Sequence, residues 1–506
     1  MNKLSYGVVA LLLATCGLWF ESSMLAVLFG AQEMLSLSYQ LEQVVNPDAR
    51  TTNENVQRIQ DGDILISDTA FQALLNRSAE FERRVRFPTV SNRIAVIAGK
   101  DVQKQQRIVE HANGTYLLVH QAVYKLIDEF LAYKKSHGTA IEKALYKTMT
   151  TESFIERLVK KRPLMFMNPL DDYLLRDGKT RGIAYQAFEL IGTSQEKAPF
   201  ILSDYLSYDE MAIAALLGVS VPTFFINDGD RSNKGKIGDQ GTFAQEGIYI
   251  GLVGGRFEKA GLMEWRHMVI TQSQNTLDHG YGLHNNNVPD SLGMWENFYN
   301  ITFPTFEEAQ KDTSGRYLKI VSDRYLDTVV YQRRMRAVVE PFLCDANERA
   351  KRAGKKAYVH AVGLGTGVWA IHTSQNKLLV EVFAQVLKEH TLTYISDINF
   401  SWFNGVSDCN GVRDKGLFTF NRNKIVIYFS KRNPAASLNG IDAGKLLVAC
   451  YAWDGNAYPG NEYWVGALSA SGDPAAICCS TLGELQNPEI NDFLSNDVHA
   501  YGTLLK

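Results

Sequence analysis

The sequence predicts an α/β fold preceded by a mainly helical region, on three observations. Residues 357–400 read as strand, glycine-rich loop, helix and strand, which is a βαβ unit. The hydrophobic pattern changes to extended runs at Pro222–Ile226 and Gly247–Val253. Between residues 64 and 215 apolar positions recur mostly at helical spacing, as in Leu118, Val119, Val123, Leu126, Ile127, Phe130 and Leu131.

Composition narrows the class. The 506 residues are 45 % hydrophobic and 21 % charged, which is globular and excludes a disordered chain, a collagen-like fibre or a long coiled coil. The net charge of −3 leaves no basic excess to hold a nucleic-acid backbone by bulk charge. Six cysteines (Cys16, Cys344, Cys409, Cys450, Cys478 and Cys479) are too few for a disulfide scaffold, and no C-x-x-C offers a structural zinc site.

Taken in order, residues 1–31 read as a signal or membrane-associating segment: Lys3 precedes an apolar run, Val8–Phe20, too short for a full membrane span. Residues 4–20 are therefore expected to direct export or membrane association, with a buried helix as the alternative. Residues 32–63 form a polar linker, and 64–215 the helical region, including an amphipathic stretch at Ala140–Val159. Residues 216–321 make an α/β segment with a hairpin. Its loop from Asp228 resembles a calcium loop only superficially, since position six is Asn233, position twelve is Asp239 and the flanks are strands. His267, Asp278, His279 and His284 match no metal-ligand spacing, so no metal is expected. Residues 322–354 read as a solvated, arginine-bearing connecting helix ended by Gly354, and 355–506 as the chemistry-bearing region.

Two constellations in that last region carry chemistry. Gly363-Leu-Gly365-Thr366-Gly367-Val368-Trp369 lies between strand Ala357–Val362 and the helical stretch Ser374–Glu389. Glycines there let backbone N–H groups converge on an anion, most naturally a phosphate, and bulk at Gly365 is expected to block its approach. The spacing is not the dinucleotide fingerprint, and a turn required only for packing is the alternative. The second follows strand Lys445–Trp453, where Asp454, Asn456, Asn461, Glu462 and Trp464 crowd one loop, with Asp473 expected to cap the next helix. Three carboxylates and two asparagines around one strand end make an acid/base and hydroxyl-binding set.

These segments resemble a macrodomain of the poly(ADP-ribose) glycohydrolase branch, and the whole chain resembles the MavL-type effector family of Legionella and related bacteria. The resemblance covers mainly residues 355–490, with 208–265 joining it; the order is permuted, the triple-glycine and Gln-Glu-Glu signature is absent, and Gly254-Gly255-Arg256-Phe257-Glu258 is a loose echo. It implies a macrodomain-like mixed sheet between helices and an ADP-ribosylhydrolase that needs no cofactor. Gly363, Gly365, Thr366, Gly367 and Val368 would hold the diphosphate, Trp369 or Trp464 would stack on a base or ribose, and Asn456 and Asn461 would bind ribose hydroxyls. Asp454 or Glu462 would activate water, with Asp473 in the same acidic set. The partner implied is ADP-ribose on a modified protein, ubiquitin among them, with secretion into a host cell. A non-catalytic ADP-ribose or nucleotide-binding module is the competing expectation.

Overall fold

The computed structural model describes residues 69–167, 169–282, 290–495, 497–503 and 505. The expected leader and linker, Cys16 and His284 lie outside the described residues.

Nine strands form one mixed sheet: β1 (Tyr116–His120), β2 (Gly218–Phe224), β3 (Glu246–Leu252), β4 (Ala357–Val362), β5 (Ile395–Ser401), β6 (Gly416–Phe420), β7 (Asn423–Ser430), β8 (Leu446–Ala452) and β9 (Val498–Tyr501). Their order across the sheet is β6-β7-β5-β4-β8-β3-β2-β1-β9. The five from β7 to β3 run parallel, and β2 and β6 are antiparallel to their inner neighbours. Buried parallel strands need apolar residues on both faces, which is why Ala357–Val362 and Leu446–Ala452 read as nearly unbroken hydrophobic runs. The 216–321 segment thus enters the same sheet as the carboxy-terminal strands, through β3 beside β8.

Helices cover this sheet. Helix α1 (Val102–Asn113) packs against β2, and α2 (Thr328–Arg352) against β1, β4, β5 and β9 and against α3 (Gln375–Glu389). Helix α4 (Gly472–Cys479) packs against β8 and places both adjacent cysteines in the core. Among the described residues no helix is long and apolar enough to cross a membrane.

Three local expectations differ from the structure. Leu118 and Val119 belong to strand β1, not to the helix that starts at Ala122; an apolar run leading straight into an amphipathic helix hides the boundary. The 140–159 stretch is two helices, Ala140–Tyr146 and Thr151–Lys160, each started by its own capping box (Thr139 with Glu142, Thr150 with Ser153). Helix α2 begins only after its Asp327 cap, and three of its five expected arginines are not solvated, although Arg352 is exposed. Arg334, Arg336 and Arg349 are buried and paired with Glu264, Glu340 and Asp345, partners that surface patterning does not reveal.

Candidate active site

Strands β3, β8, β4 and β5 end side by side, so the loops after Leu252, Ala452, Val362 and Ser401 gather along one edge. The crevice beyond the carboxyl ends of parallel strands is where such sheets bind ligands. Two of these loops touch backbone to backbone. A Cβ on Gly254 would clash with Gly365 N and the Leu364 carbonyl carbon, so only glycine fits there. Gly365 has a φ of +64° and a Cβ on it would come 2.7 Å from the Gly255 carbonyl oxygen. The expectation that bulk at Gly365 meets an anion is therefore corrected: it meets the Gly254–Gly255 loop first. Thr366 Oγ1 takes the place a Gly363 side chain would need, whereas Gly367 has nothing within 4 Å and Val368 is 92 % exposed. From below, the Arg334 guanidinium donates to the carbonyls of Val253 (3.3 Å) and Ala215 (2.8 Å) and is itself held by Glu264.

The loop after β8 supplies side chains. Asp454 is buried, with Oδ2 accepting from Asn461 Nδ2 at 2.9 Å and Oδ1 from Arg256 Nη1 at 3.3 Å. Arg256 is also buried, and its Nε and Nη2 reach Glu258 Oε2 at 2.9 and 2.8 Å. Burial pushes the Asp454 carboxyl up to about 7; Arg256 opposes this, while Glu258 and Glu462 add to it. The upward direction survives the nearby guanidinium because the loss of solvent around the buried carboxyl outweighs that one attraction. Burial also raises the Glu462 carboxyl, whose Oε2 accepts from the Ser471 hydroxyl at 3.3 Å. A carboxyl poised near neutrality can take a proton from water and return it to a leaving group.

The other expected residues fall into distinct places. Asp473 does not cap its own helix; Ser471 occupies that position. Its carboxyl accepts instead from the backbone N–H groups of Gly460 (2.7 Å) and Asp454 (3.4 Å), and burial raises it far above the usual carboxylate range. Asn461 uses both ends of its amide inside the protein, donating to Asp454 and accepting from Phe166 N at 2.8 Å. Trp464 packs edge-on to Phe81 and Phe87, both at 5.4 Å, and its indole N–H donates to the Pro459 carbonyl, so it is a core residue. Trp369 is half-buried with the Arg256 guanidinium over its ring. Asn456 is buried, its Nδ2 contacts only the Met263 sulfur at 3.3 Å, and its Oδ1 has no protein donor.

Arg256, Glu258 and Gly254, in sequence only a loose echo of another motif, stand at the centre of the site. The signal was available: glycines and a charged pair directly after a buried strand, the same pattern that marked the loops after β4 and β8. Phe166, whose ring lies 5.1 Å from the Arg256 guanidinium, carried no such signal. Among the described residues no group of three or more His, Cys, Asp or Glu is arranged to hold a metal ion. His267 is buried against Trp295 and Phe303, and burial pushes it well below its ordinary value, which keeps it neutral.

Two glycine loops in backbone contact and a loop of buried carboxyls with raised pKa values thus meet at the carboxyl ends of the same parallel strands. The chain belongs to the MavL-like ADP-ribosylhydrolase family, whose model matches residues 72–501. Two Drosophila melanogaster proteins are similar over most of their length. ADP-ribosylarginine hydrolase CG2909 is 34 % identical, over 77 % of this chain and 79 % of its own. ADP-ribosylarginine hydrolase CG3568 is 35 % identical, over 79 % of this chain and 80 % of its own.

Proposed function

We propose that this chain removes ADP-ribose from arginine side chains of modified proteins by hydrolysing the N-glycosidic bond. The observation that carries this reading is a charge imbalance. Asp454, Glu462 and Glu258 act on one another electrostatically, and Arg256 is the cation that pairs directly with Asp454 and Glu258. A substrate guanidinium supplies positive charge where the protein leaves it short. The names of the two Drosophila relatives support the same linkage.

In this mechanism the backbone around Gly254–Gly255 and Gly363–Gly367 receives the diphosphate, and the unpartnered Asn456 Oδ1 accepts from a ribose hydroxyl. The bond from the anomeric carbon to the arginine nitrogen breaks through an oxocarbenium-like state that Glu462 stabilises. Water attacks that carbon, Asp454 takes its proton, and the departing guanidine nitrogen receives it, so the products are ADP-ribose and an unmodified arginine. Asp473 and Asn461 position the loop and its carboxyl.

The test is release of ADP-ribose from arginine-linked, serine-linked and glutamate-linked substrates presented to the purified chain. Release from the arginine linkage alone is expected; ADP-ribose binding without release from any of them would favour a non-catalytic binding module. Ubiquitin modified on arginine belongs in that panel as one protein substrate. Export or membrane attachment through residues 4–20 is tested by fractionating cells that express the full chain.

A further inference from the structure

Asp454 is gripped on both oxygens by donors that share one brace. Arg256 approaches Oδ1 and Asn461 approaches Oδ2. The short strand Met165–Met167 supports both: the Phe166 ring lies against the Arg256 guanidinium, and Phe166 N–H fixes the Asn461 amide. Trp369 covers the guanidinium as well, at 5.5 Å, and the backbone that carries Arg256 is locked by the contact between Gly254 and Gly365. Held between the two rings, the fork lies closer to Glu258, at 2.8 Å, than to Asp454, at 3.3 Å.

We propose that Glu258 and Arg256 are positioning residues that act as an opposed pair on Asp454: Arg256 orients the carboxyl and favours its charged form, and Glu258 limits how much of that positive charge reaches it. This rests on the reading of Asp454 as the acid/base group. The pair explains why a carboxylate and its guanidinium are buried together without the closest bond being theirs. A structural ion pair gains most from the shortest geometry on both sides, whereas a proton shuttle needs a carboxyl that is charged only part of the time. The other ionisable groups around Asp454 are Glu462 on the same loop, Asp473 on α4, and Arg162, whose guanidinium lies 4.4 Å from the ring of the preceding residue, Trp453. Arg256 also feels Asp171 and Tyr208 across the site, and Glu258 is the carboxylate that competes with Asp454 for it by a direct ion pair.

The two residues then have opposite signatures in the acid limb of the pH profile for hydrolysis of an ADP-ribosylated arginine substrate. Glu258→Gln removes the competitor and a like charge, so the limb moves to lower pH. Arg256→Met removes the stabilising cation, so the limb moves to higher pH, by about one unit or more, and activity at neutral pH falls about fivefold or more. Millimolar guanidinium chloride restores part of the Arg256→Met activity and moves the limb back. Calorimetric affinity for ADP-ribose stays within about threefold in both variants, since neither is assigned to the diphosphate. Shifts in the same direction, or none in either variant, overturn the proposal. Should Arg256→Met fail to fold, Glu258→Gln decides alone: a downward shift supports the pair and any other result removes it. Failure of the hydrolase reading shows separately, as absence of release by the wild-type chain. In that event carbon-13 NMR titration of the Asp454 carboxyl in the same variants reads the same two shifts.

Discussion

The two sides of the candidate site are built by different means. On the β8 side, chemistry is carried by side chains, and nearly every polar atom is assigned: Asp454 to Arg256 and Asn461, Asp473 to two backbone N–H groups, Glu462 to Ser471. On the β4 side, it is carried by backbone, with the Leu364–Gly365 turn resting on Gly254 and Gly255 and Gly367 open. The difference teaches where each side tolerates change. The acidic side tolerates changes of size poorly but keeps its shape when charge alone is altered. The glycine side has no charge to alter, yet a single methyl group at the point of backbone contact forces two loops apart.

Four substitutions sharpen or break this contrast. The largest effect is expected for Asp454→Asn, which keeps the shape of the carboxyl: hydrolysis should fall by about 10²–10⁴-fold with ADP-ribose affinity, read by calorimetry, little changed. In the wild-type chain the same group predicts a pH profile. Asp454 must be ionised to take a proton, so kcat should fall about tenfold per unit as pH drops below about 7. A profile flat from pH 5 to 8 would remove Asp454 from that role.

Gly254→Ala comes next. Its methyl group meets fixed backbone at Gly365 and Leu364, so ADP-ribose affinity should weaken at least tenfold and the melting temperature should drop. Unaltered binding would mean that the two glycine loops do not form the cradle. Trp464→Leu tests a residue that the sequence placed in the ligand site and the structure places between Phe81 and Phe87. Loss of a large core side chain should cost about 1–3 kcal/mol of stability by denaturant titration, with ADP-ribose affinity within about twofold. A selective loss of affinity would return Trp464 to the ligand. The smallest effect is expected for Gly367→Ala, which meets nothing within 4 Å. Its melting temperature and ADP-ribose affinity should match the wild type.

Within the sequence, the first strand and the helix of the βαβ unit at 357–400 were legible to within one residue, because a strand buried on both faces and an amphipathic helix declare themselves within a few neighbouring positions. Glycines after one strand and carboxylates after another marked two loops that the sheet brings to one edge. Asn456 and Trp464 show where that kind of reading ends. Both stand in the same polar, aromatic loop, but one keeps an unpartnered oxygen and the other fills the core, and only their neighbours from distant segments distinguish them. The same holds for the buried arginines of α2, whose burial depends on carboxylates such as Glu264.

What the sequence determined alone was therefore local: the α/β class, a glycine loop after one strand and an acidic loop after another, each set by periodicity and by residue types within one turn or one strand. Tertiary structure decided the rest. It drew β1 into the sheet, seated Gly254 on Gly365, and brought Arg256 to Asp454, 198 residues away along the chain. It also decided which carboxyl sits near neutrality, because a proton equilibrium depends on desolvation and on charges within a few ångströms, and neither is a property of neighbouring positions in the chain.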